Sequence, residues 1–139
     1  MKKRRWTVVA VAVMLLFTGC SFGTLKEQKT GEIEYEIVKK EEIPEKLKEE
    51  IAEAEKSEMW ISYADTGNEG RYLYIVRGYG RQETTGYSIE VNECYETEHT
   101  VVVRTTLLGP QKKEKTHKKK TYPYIVIKIP YTDKQIIYE

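Results

Sequence analysis

Six short segments from residue 59 onward are rich in valine, isoleucine, threonine and tyrosine, and turn residues or charged clusters separate them. Such segments are typical of β-strands. They span residues 59–65, 71–78, 87–94, 99–108, 122–129 and 135–138. Because no helical pattern lies between them, the crossover connections of a parallel sheet are not expected. The pattern therefore predicts a mostly β, α+β fold: a single antiparallel β-sandwich or barrel-like domain with one short N-terminal amphipathic helix.

Residues 32–38 carry a regular alternation of acidic and apolar side chains. The alternation places Ile33, Tyr35 and Ile37 on one face and three glutamates on the other. A two-residue period of this kind is typical of a half-buried strand. We therefore predict one strand over this segment, ahead of the helix.

The single predicted helix lies within residues 43–58. Pro44 suits a first helical turn, where the missing N–H has no intrahelical acceptor in any case. Leu47, Ile51 and Ala54 then recur at helical spacing and form a narrow apolar stripe. We expect this stripe to pack on the sheet and the acidic face of the helix to lie in water.

The first 20 residues have the layout of an export signal. Four basic residues precede an uncharged run over residues 6–17, which is too short for an ordinary membrane-spanning helix. Residues 17–20, Phe-Thr-Gly-Cys, resemble a bacterial lipobox, and the resemblance implies that Cys20 carries diacylglycerol as the first residue of the mature protein. The alternatives are an ordinary secretory signal and an uncleaved anchor. In each case the rest of the chain is expected outside the cytoplasm.

The chain is predicted to divide into an export signal, a tether and one domain, over residues 1–19, 20–31 and 32–139. The tether residues are polar and lack periodicity, which is typical of a linker. Removal of the signal takes away four of the 23 Lys and Arg and none of the 22 Asp and Glu, which leaves a net charge of −3. A mature chain of about 120 residues is long enough for one domain with its own core.

The chain has two cysteines, Cys20 and Cys94. If Cys20 carries lipid, Cys94 has no partner within the chain, and the fold cannot depend on an internal disulfide. Since Cys94 ends a predicted strand, we expect it to be buried like a small apolar side chain.

A glycine-rich stretch, Gly-Tyr-Gly-Arg-Gln-Glu-Thr-Thr-Gly-Tyr, occupies residues 78–87. It does not fit a dinucleotide-binding fingerprint, because Glu83 stands where a third glycine is required and no helix is predicted to follow. It also lacks the Gly-Lys-Ser/Thr ending of a Walker loop. We therefore interpret it as a loop between two strands, in which Gly86 is free to adopt a positive φ.

The two histidines, His99 and His117, lack a second nitrogen or sulfur ligand at metal-site spacing. A pairing of Cys94 with His99, or a Ser/His/Asp arrangement, has no local signature in this sequence. We therefore predict that the protein is not an enzyme and needs neither a metal nor a cofactor.

The connection between the fourth and fifth of the six predicted strands contains a cluster of lysines over residues 112–120. The six are Lys112, Lys113, Lys115, Lys118, Lys119 and Lys120. One interpretation is a solvated loop that protects neighbouring strand edges. The other is contact with anionic lipid, an anionic polymer or an acidic partner. Nucleic acid is not expected as a partner of an exported protein.

The segment around residues 78–91 resembles the C-terminal domain of the PrcB family, lipoprotein subunits of a surface protease complex. The resemblance rests on Gly80, on Thr-Thr-Gly-Tyr followed by an alternating strand over residues 84–91, and on the later Gly-Pro bend and Tyr-Pro-Tyr segment. The short helix of residues 43–51 resembles an upstream part of the same family. The resemblance implies an accessory role that stabilises or positions a protease. It also implies a partner-binding site formed by Thr84, Thr85, Gly86, Tyr87, Tyr122, Pro123 and Tyr124.

The Thr-Thr-Gly-Tyr stretch at residues 84–87 also resembles a loop of chagasin-like inhibitors of cysteine proteases. Gln82 and Glu83 replace the Asn-Pro of that loop, and a glycine-rich second loop is not evident. The alternatives are therefore a protease inhibitor that uses this loop, or an envelope lipoprotein that binds anionic lipid or polymer through the lysine cluster. In every case we expect an exported, lipid-anchored protein at the outer face of the membrane, with an envelope protein, a protease among the candidates, as the partner.

Overall fold

The computed structural model describes residues 27–67 and 70–139, and the predicted export signal and Cys20 lie outside this part of the chain. Two short strands, β1 and β2, are followed by a 3-10 turn, one helix and six longer strands. The elements are β1 (Gly31–Glu32), β2 (Glu36–Ile37), the 3-10 turn (Lys40–Glu42), α1 (Glu45–Ala54), β3 (Glu58–Asp65), β4 (Tyr72–Tyr79), β5 (Ser88–Glu96), β6 (Thr100–Leu108), β7 (Tyr124–Pro130) and β8 (Gln135–Tyr138).

The strands form two four-stranded sheets, one in the order β1-β5-β6-β8 and the other in the order β2-β7-β4-β3. All pairings are antiparallel except the parallel pair of β6 and β8. The two sheets bury a common apolar layer, which makes the fold a sandwich rather than a closed barrel. The predicted mostly β fold with one helix is thereby confirmed, and each of the six predicted strands is present within two residues of its predicted bounds.

Strand β4 lies at the centre of the fold, because both of its faces are buried. Leu73 and Ile75 point into the layer between the sheets, where Cys94 and Val103 from the opposite sheet join them. The alternate residues of β4 pack on the other side of the sheet, beneath the helix. Burial on both faces explains why this strand appears in the sequence as a continuous apolar run rather than an alternation.

Helix α1 covers the outer face of the β2-β7-β4-β3 sheet. Leu47 and Ile51 are buried beside Tyr74 and Val76 of β4, and Ala54 packs against the same cluster. Burial of a leucine or isoleucine side chain contributes about 1.5–3 kcal/mol to folding. The predicted helix and its apolar stripe are confirmed. Among the described residues, no helix is long and apolar enough to span a membrane.

The prediction of one strand over residues 32–38 is wrong. The chain leaves β1, which pairs with β5, and crosses to β2, which pairs with β7 of the other sheet. Of the predicted buried face, only Ile33 packs into the core, whereas Tyr35 and Ile37 are exposed. Because the two halves pair with different sheets, a single alternating face is not maintained, and Val38 is the buried residue at the far end.

The sandwich has two ends of different character. At one, which we name the tether end, the first described residues bind the β5–β6 turn, and the Thr30 N–H donates to the Glu96 carbonyl at 2.8 Å. The other, which we name the loop end, carries the β4–β5 loop of residues 80–87 and the β6–β7 loop of residues 109–123. The predicted tether of residues 20–31 therefore overlaps the fold, because β1 begins at Gly31 and residues 27–30 already contact the domain.

Candidate partner-binding site

The two long loops at the loop end are joined by an isolated antiparallel bridge between Gln82 and Thr121. The Gln82 N–H donates to the Thr121 carbonyl at 2.8 Å, and the Thr121 N–H donates back to the Gln82 carbonyl at 2.9 Å. The Thr121 hydroxyl also donates to the Thr84 carbonyl at 2.8 Å. The two loops therefore form one hydrogen-bonded unit, which we name the loop pair.

A second pair of hydrogen bonds connects Thr85 to the lysine-rich part of the β6–β7 loop. The Thr85 N–H donates to the His117 carbonyl at 3.1 Å. In return the His117 N–H donates to the Thr85 hydroxyl oxygen at 3.0 Å. His117 thus fixes the middle of the lysine cluster through its backbone, which leaves its imidazole exposed.

Gly86 adopts a positive φ of 96°, a backbone conformation that other residue types rarely tolerate. A Cβ at this position would lie 2.7 Å from the Pro110 Cβ and 3.1 Å from the Glu114 Oε2. The glycine therefore serves two purposes, since it permits the turn and allows the β6–β7 loop to approach closely. The sequence predicts the first of these requirements and does not reveal the second.

The seven predicted partner-binding residues all lie at the loop end, but they differ in accessibility. Gly86 is exposed, whereas Thr84, Thr85 and Tyr87 are half-buried, and the first two take part in the hydrogen bonds of the loop pair. The Tyr122-Pro123-Tyr124 segment is also half-buried and leads into β7. These residues shape the loop pair more than they project from it.

Tyr124 supports the helix side of the fold. It is the register partner of Gly78 on β4, and its ring packs against the cluster beneath α1. The Lys40 ammonium lies 5.3 Å from the centre of its ring. Burial, with a smaller effect of Glu55, raises the pKa of the Tyr124 hydroxyl. The Pro123 carbonyl accepts the Tyr79 N–H at 3.1 Å and so connects this segment to the end of β4.

The lysine cluster projects from the loop pair into solvent. Residues 111–120 are all exposed. None of the six lysines forms an ion pair with another residue in the described part of the chain. The cluster therefore presents uncompensated positive charge at the loop end.

An aromatic and arginine cluster lies beside the loop pair and was not predicted from the sequence. Arg77 on β4 lies between two rings, with its guanidinium carbon 3.9 Å from the Tyr79 ring centre and 4.7 Å from that of Trp60. Glu58 contributes an ion-pair contact to Arg77 at 3.7 Å. Trp60 is 51% exposed, which is unusual for so large an apolar side chain. We name Trp60, Arg77 and Tyr79 the stacked cluster.

The stacked cluster is tied both to the core and to the loops. The Tyr79 hydroxyl and the Thr105 hydroxyl form a hydrogen bond of 2.6 Å across the two sheets. The Gln82 side-chain amide donates to the Tyr79 carbonyl at 3.3 Å. Only the β3–β4 register, in which Trp60 opposes Arg77, brings the cluster together, so a single sequence carries no local signal for it.

The groups with reactive potential lie apart from one another. Cys94 is free and buried between the sheets, and burial raises the pKa of its thiol to about 11. His99 lies at the tether end, where its Nδ1 is 3.0 Å from the Glu27 Oε1, whereas His117 lies at the loop end. Within residues 27–67 and 70–139 no cluster of His, Cys, Asp and Glu could hold a metal ion. Cys94 and the two histidines therefore do not form one site.

Comparison with known proteins adds one finding to this geometry. The chain matches no curated protein and no solved structure. Residues 73–130 match the family model described as PrcB C-terminal. The match begins in β4 and ends at the last residue of β7, so it contains both members of the loop pair, whereas α1 and β3 lie outside it. Over residues 73–130 the chain is therefore similar to the PrcB C-terminal family, as the resemblance in the sequence predicts.

Proposed function

We propose that this protein is a PrcB-like accessory protein of the bacterial envelope. It is exported, is held at the outer face of the membrane by diacylglycerol on Cys20, and binds a protease that it stabilises or positions. The observation that carries the proposal is the loop pair, in which Thr85 and His117 are joined within the segment that matches the family.

The loop pair supports a binding role because its shape is fixed before a partner arrives. Five hydrogen bonds connect Gln82, Thr84 and Thr85 to the β6–β7 loop, and Gly86 permits their close approach. A preorganised surface loses less conformational entropy on association than a flexible loop of the same length. The loop end thereby offers a surface of defined shape to which a partner protein can bind.

The export signal and the lipobox-like residues 17–20 support the proposed location. Two acyl chains hold a protein on a membrane where a single chain exchanges, since each buried methylene contributes about 0.8 kcal/mol. An anchored accessory protein and an envelope protease would then be located at the same membrane surface, and no further targeting signal would be needed.

The inhibitor alternative receives less support from the geometry. A loop that enters a protease cleft has to offer free backbone and hydroxyl groups to the enzyme. In this protein the Thr85 N–H and hydroxyl are both engaged with His117, and the Thr84 carbonyl accepts the Thr121 hydroxyl. An inhibitor would have to give up these bonds on binding.

Co-purification from membranes tests the proposal. The full-length lipoprotein carries a C-terminal affinity tag, and a matched sample carries the G86A change, which forces apart the loop pair. We expect a protease to be recovered with the wild type, to remain active, and to be depleted with G86A, whereas G109A retains it. Recovery of no protease would contradict the accessory role. Loss of papain activity on addition of the pure protein would instead favour the inhibitor.

A further inference from the structure

The first described residue of the domain is fastened to the tether end. The Thr97 hydroxyl donates to the Glu27 carboxylate, and the His99 ring lies 3.0 Å from its other oxygen. The His99 backbone N–H also donates to Glu27 at 3.3 Å. The side chain of Glu27 therefore closes over the β5–β6 turn and fixes where the chain enters the domain.

The entry point limits how the domain can stand on a membrane. Seven peptide steps separate Cys20 from Glu27, so even a fully extended chain spans only about 25 Å. Strand β5 runs from the loop end to the tether end over nine residues, a length of about 27 Å. The loop pair extends beyond the start of that strand. An inverted domain, with its loop end on the lipid, would need more chain than the tether provides.

The charges at the two ends also differ. At the tether end the carboxylates of Glu27, Glu32, Glu96 and Glu98 each lie beside a basic side chain, from Lys29, His99 or Lys134. The loop end exposes the lysine cluster of residues 112–120 with a single glutamate among its lysines. An anionic bilayer would attract the lysines, yet the tether holds the opposite end beside the lipid. The lysine cluster is therefore positioned to contact a partner that lies farther from the membrane.

The stacked cluster supplies the apolar part of such a surface. Trp60 is half-exposed, and Arg77 beneath it is held by the Tyr79 ring and by Glu58. Tryptophan, tyrosine and arginine are the residue types that most often dominate binding energy at protein interfaces. Lysines at the rim of an interface increase the rate of association with an acidic surface. Together the two features fit a protein surface that carries carboxylates around an apolar patch.

We infer that the loop end points away from the membrane and docks an acidic protein surface, with Trp60 as the apolar contact and the lysine cluster as the complementary charge. The orientation rests on the anchor at Cys20 that forms part of the proposed function. The partner chemistry rests on the described residues of the loop end alone. A membrane that received the lysine cluster itself would contradict both.

Trp60 provides a direct measurement, because it is the only tryptophan apart from Trp6 in the predicted signal. The lipoprotein is reconstituted in vesicles of phosphatidylcholine that contain dansyl-labelled lipid, and energy transfer from tryptophan to dansyl is recorded. The matched variant W60F/Y131W moves the donor to the tether end, where Tyr131 is exposed and its N–H bonds to the Arg71 carbonyl. We expect stronger transfer from the variant than from the wild type. Equal or stronger transfer from Trp60 would overturn the orientation.

Vesicle flotation of the same samples separates this inference from the proposed anchor. If the protein does not float with the lipid, the proposed anchor at Cys20 is wrong, and the inferred orientation is wrong as well. A protein that floats but transfers strongly from Trp60 overturns the orientation while the anchor stands.

The partner chemistry is tested on the same vesicles by protection of Trp60 from quenching by acrylamide. We expect added poly-L-glutamate to reduce quenching, and we expect the reduction to disappear at high salt and in a variant with all six cluster lysines replaced by glutamine. The control K29Q, which changes an exposed lysine at the tether end, should behave like the wild type. No protection by poly-L-glutamate, or equal protection by poly-L-lysine, would overturn the inference. Equal protection by added vesicles of phosphatidylglycerol would assign the surface to lipid and overturn it too.

Discussion

Thr85 and His117 are joined by two hydrogen bonds that run in opposite directions, from the Thr85 N–H to the His117 carbonyl and from the His117 N–H to the Thr85 hydroxyl. The residues are 32 positions apart, and each lies in a loop that would be irregular by itself. Their pairing turns two loops into one surface. It also explains why the glycine-rich stretch and the lysine cluster, which are separate features of the sequence, act as one feature of the structure.

Loss of the Thr85 hydroxyl should loosen this pairing. In T85V the His117 N–H loses its acceptor, and since the site is accessible to water the cost should be about 0.5–1 kcal/mol in the free energy of unfolding. Hydrogen exchange at the His117 amide should accelerate more than the change in global stability requires. The control T85S keeps the hydroxyl and should exchange like the wild type. Identical exchange in T85V and T85S would show that this bond does not hold the loop.

Replacement of Gly86 by alanine should destabilise the protein by about 1–3 kcal/mol, because a positive φ is strained for alanine and its Cβ would clash with Pro110. Urea denaturation measures the change. Gly109 provides the matched control, since a Cβ there would meet only a Tyr87 ring carbon at 3.8 Å. G109A should leave stability within about 0.5 kcal/mol of the wild type. Equal costs for the two variants would contradict the geometry of the loop pair.

The bond between Tyr79 and Thr105 should contribute measurably to stability. Y79F leaves the nearly buried Thr105 hydroxyl without its 2.6 Å partner, which should cost about 1–3 kcal/mol. In the double variant Y79F/T105V both polar groups are gone, so the cost should be smaller than the sum of the two single changes. The four proteins compared by urea denaturation give this coupling free energy. Additive single costs would mean that the two hydroxyls do not interact.

At low pH the first described residues, beginning at Glu27, should detach from the tether end of the domain. The hydroxyl of Thr97 lowers the pKa of the Glu27 carboxyl below 4.5, desolvation opposes this effect, and His99 lowers the pKa further. Because the folded-state pKa is depressed, the stabilisation is present in full above pH 4.5 and is lost as pH falls through the lowered pKa.

Hydrogen exchange at the Thr30 amide, which bonds to the Glu96 carbonyl, measures this release. Its protection should be constant above pH 4.5 and should fall as the pH drops below that value, after correction for the intrinsic exchange rate. In the control E27Q, residue 27 cannot ionise. At neutral pH the Thr30 amide of E27Q should be less protected than that of the wild type, and its protection should show no step from the ionisation of residue 27. A wild type and an E27Q variant with the same pH profile would refute the role of Glu27.

Cys94 should resist thiol reagents in the folded protein. Burial raises the pKa of its thiol to about 11, so the reactive thiolate is scarce at neutral pH and is also covered by the sheets. Labelling with a disulfide reagent should be slow in buffer and rapid in urea. Fast labelling of the native protein would contradict the burial of Cys94 between the two sheets.

Most of the fold could be predicted because the responsible signals are local. The β-branched and aromatic runs of β3 to β8 and the stripe of Leu47 and Ile51 in α1 require no knowledge of their partners. The crossing at residues 32–38 could not be predicted, since its alternation is the same whether the segment pairs with one sheet or with two. The parallel pairing of β6 with β8 could not be predicted either, because it joins strands that are distant in the sequence and no local pattern indicates it.

The candidate site shows the same division. The positive φ of Gly86 follows from the residue type and its place in a loop, and it was expected. The pairing of Thr85 with His117 and the stacking of Arg77 on Trp60 depend on strand register and loop approach, which become visible only in three dimensions. Trp60 in particular appears in the sequence as one more aromatic residue of a strand.

Photo-crosslinking in intact cells tests the central claim, that the loop end binds a protease of the envelope, most directly. A benzophenone amino acid is placed at Gln111 on the exposed loop and, as the matched control, at Glu98 on the tether end. We predict that Gln111 captures one protein, identified by mass spectrometry as a protease or a subunit bound to one, and that Glu98 does not. The capture should disappear when the six cluster lysines are replaced by glutamine. Capture of the same protein from both positions, or of lipid alone from Gln111, would contradict the account.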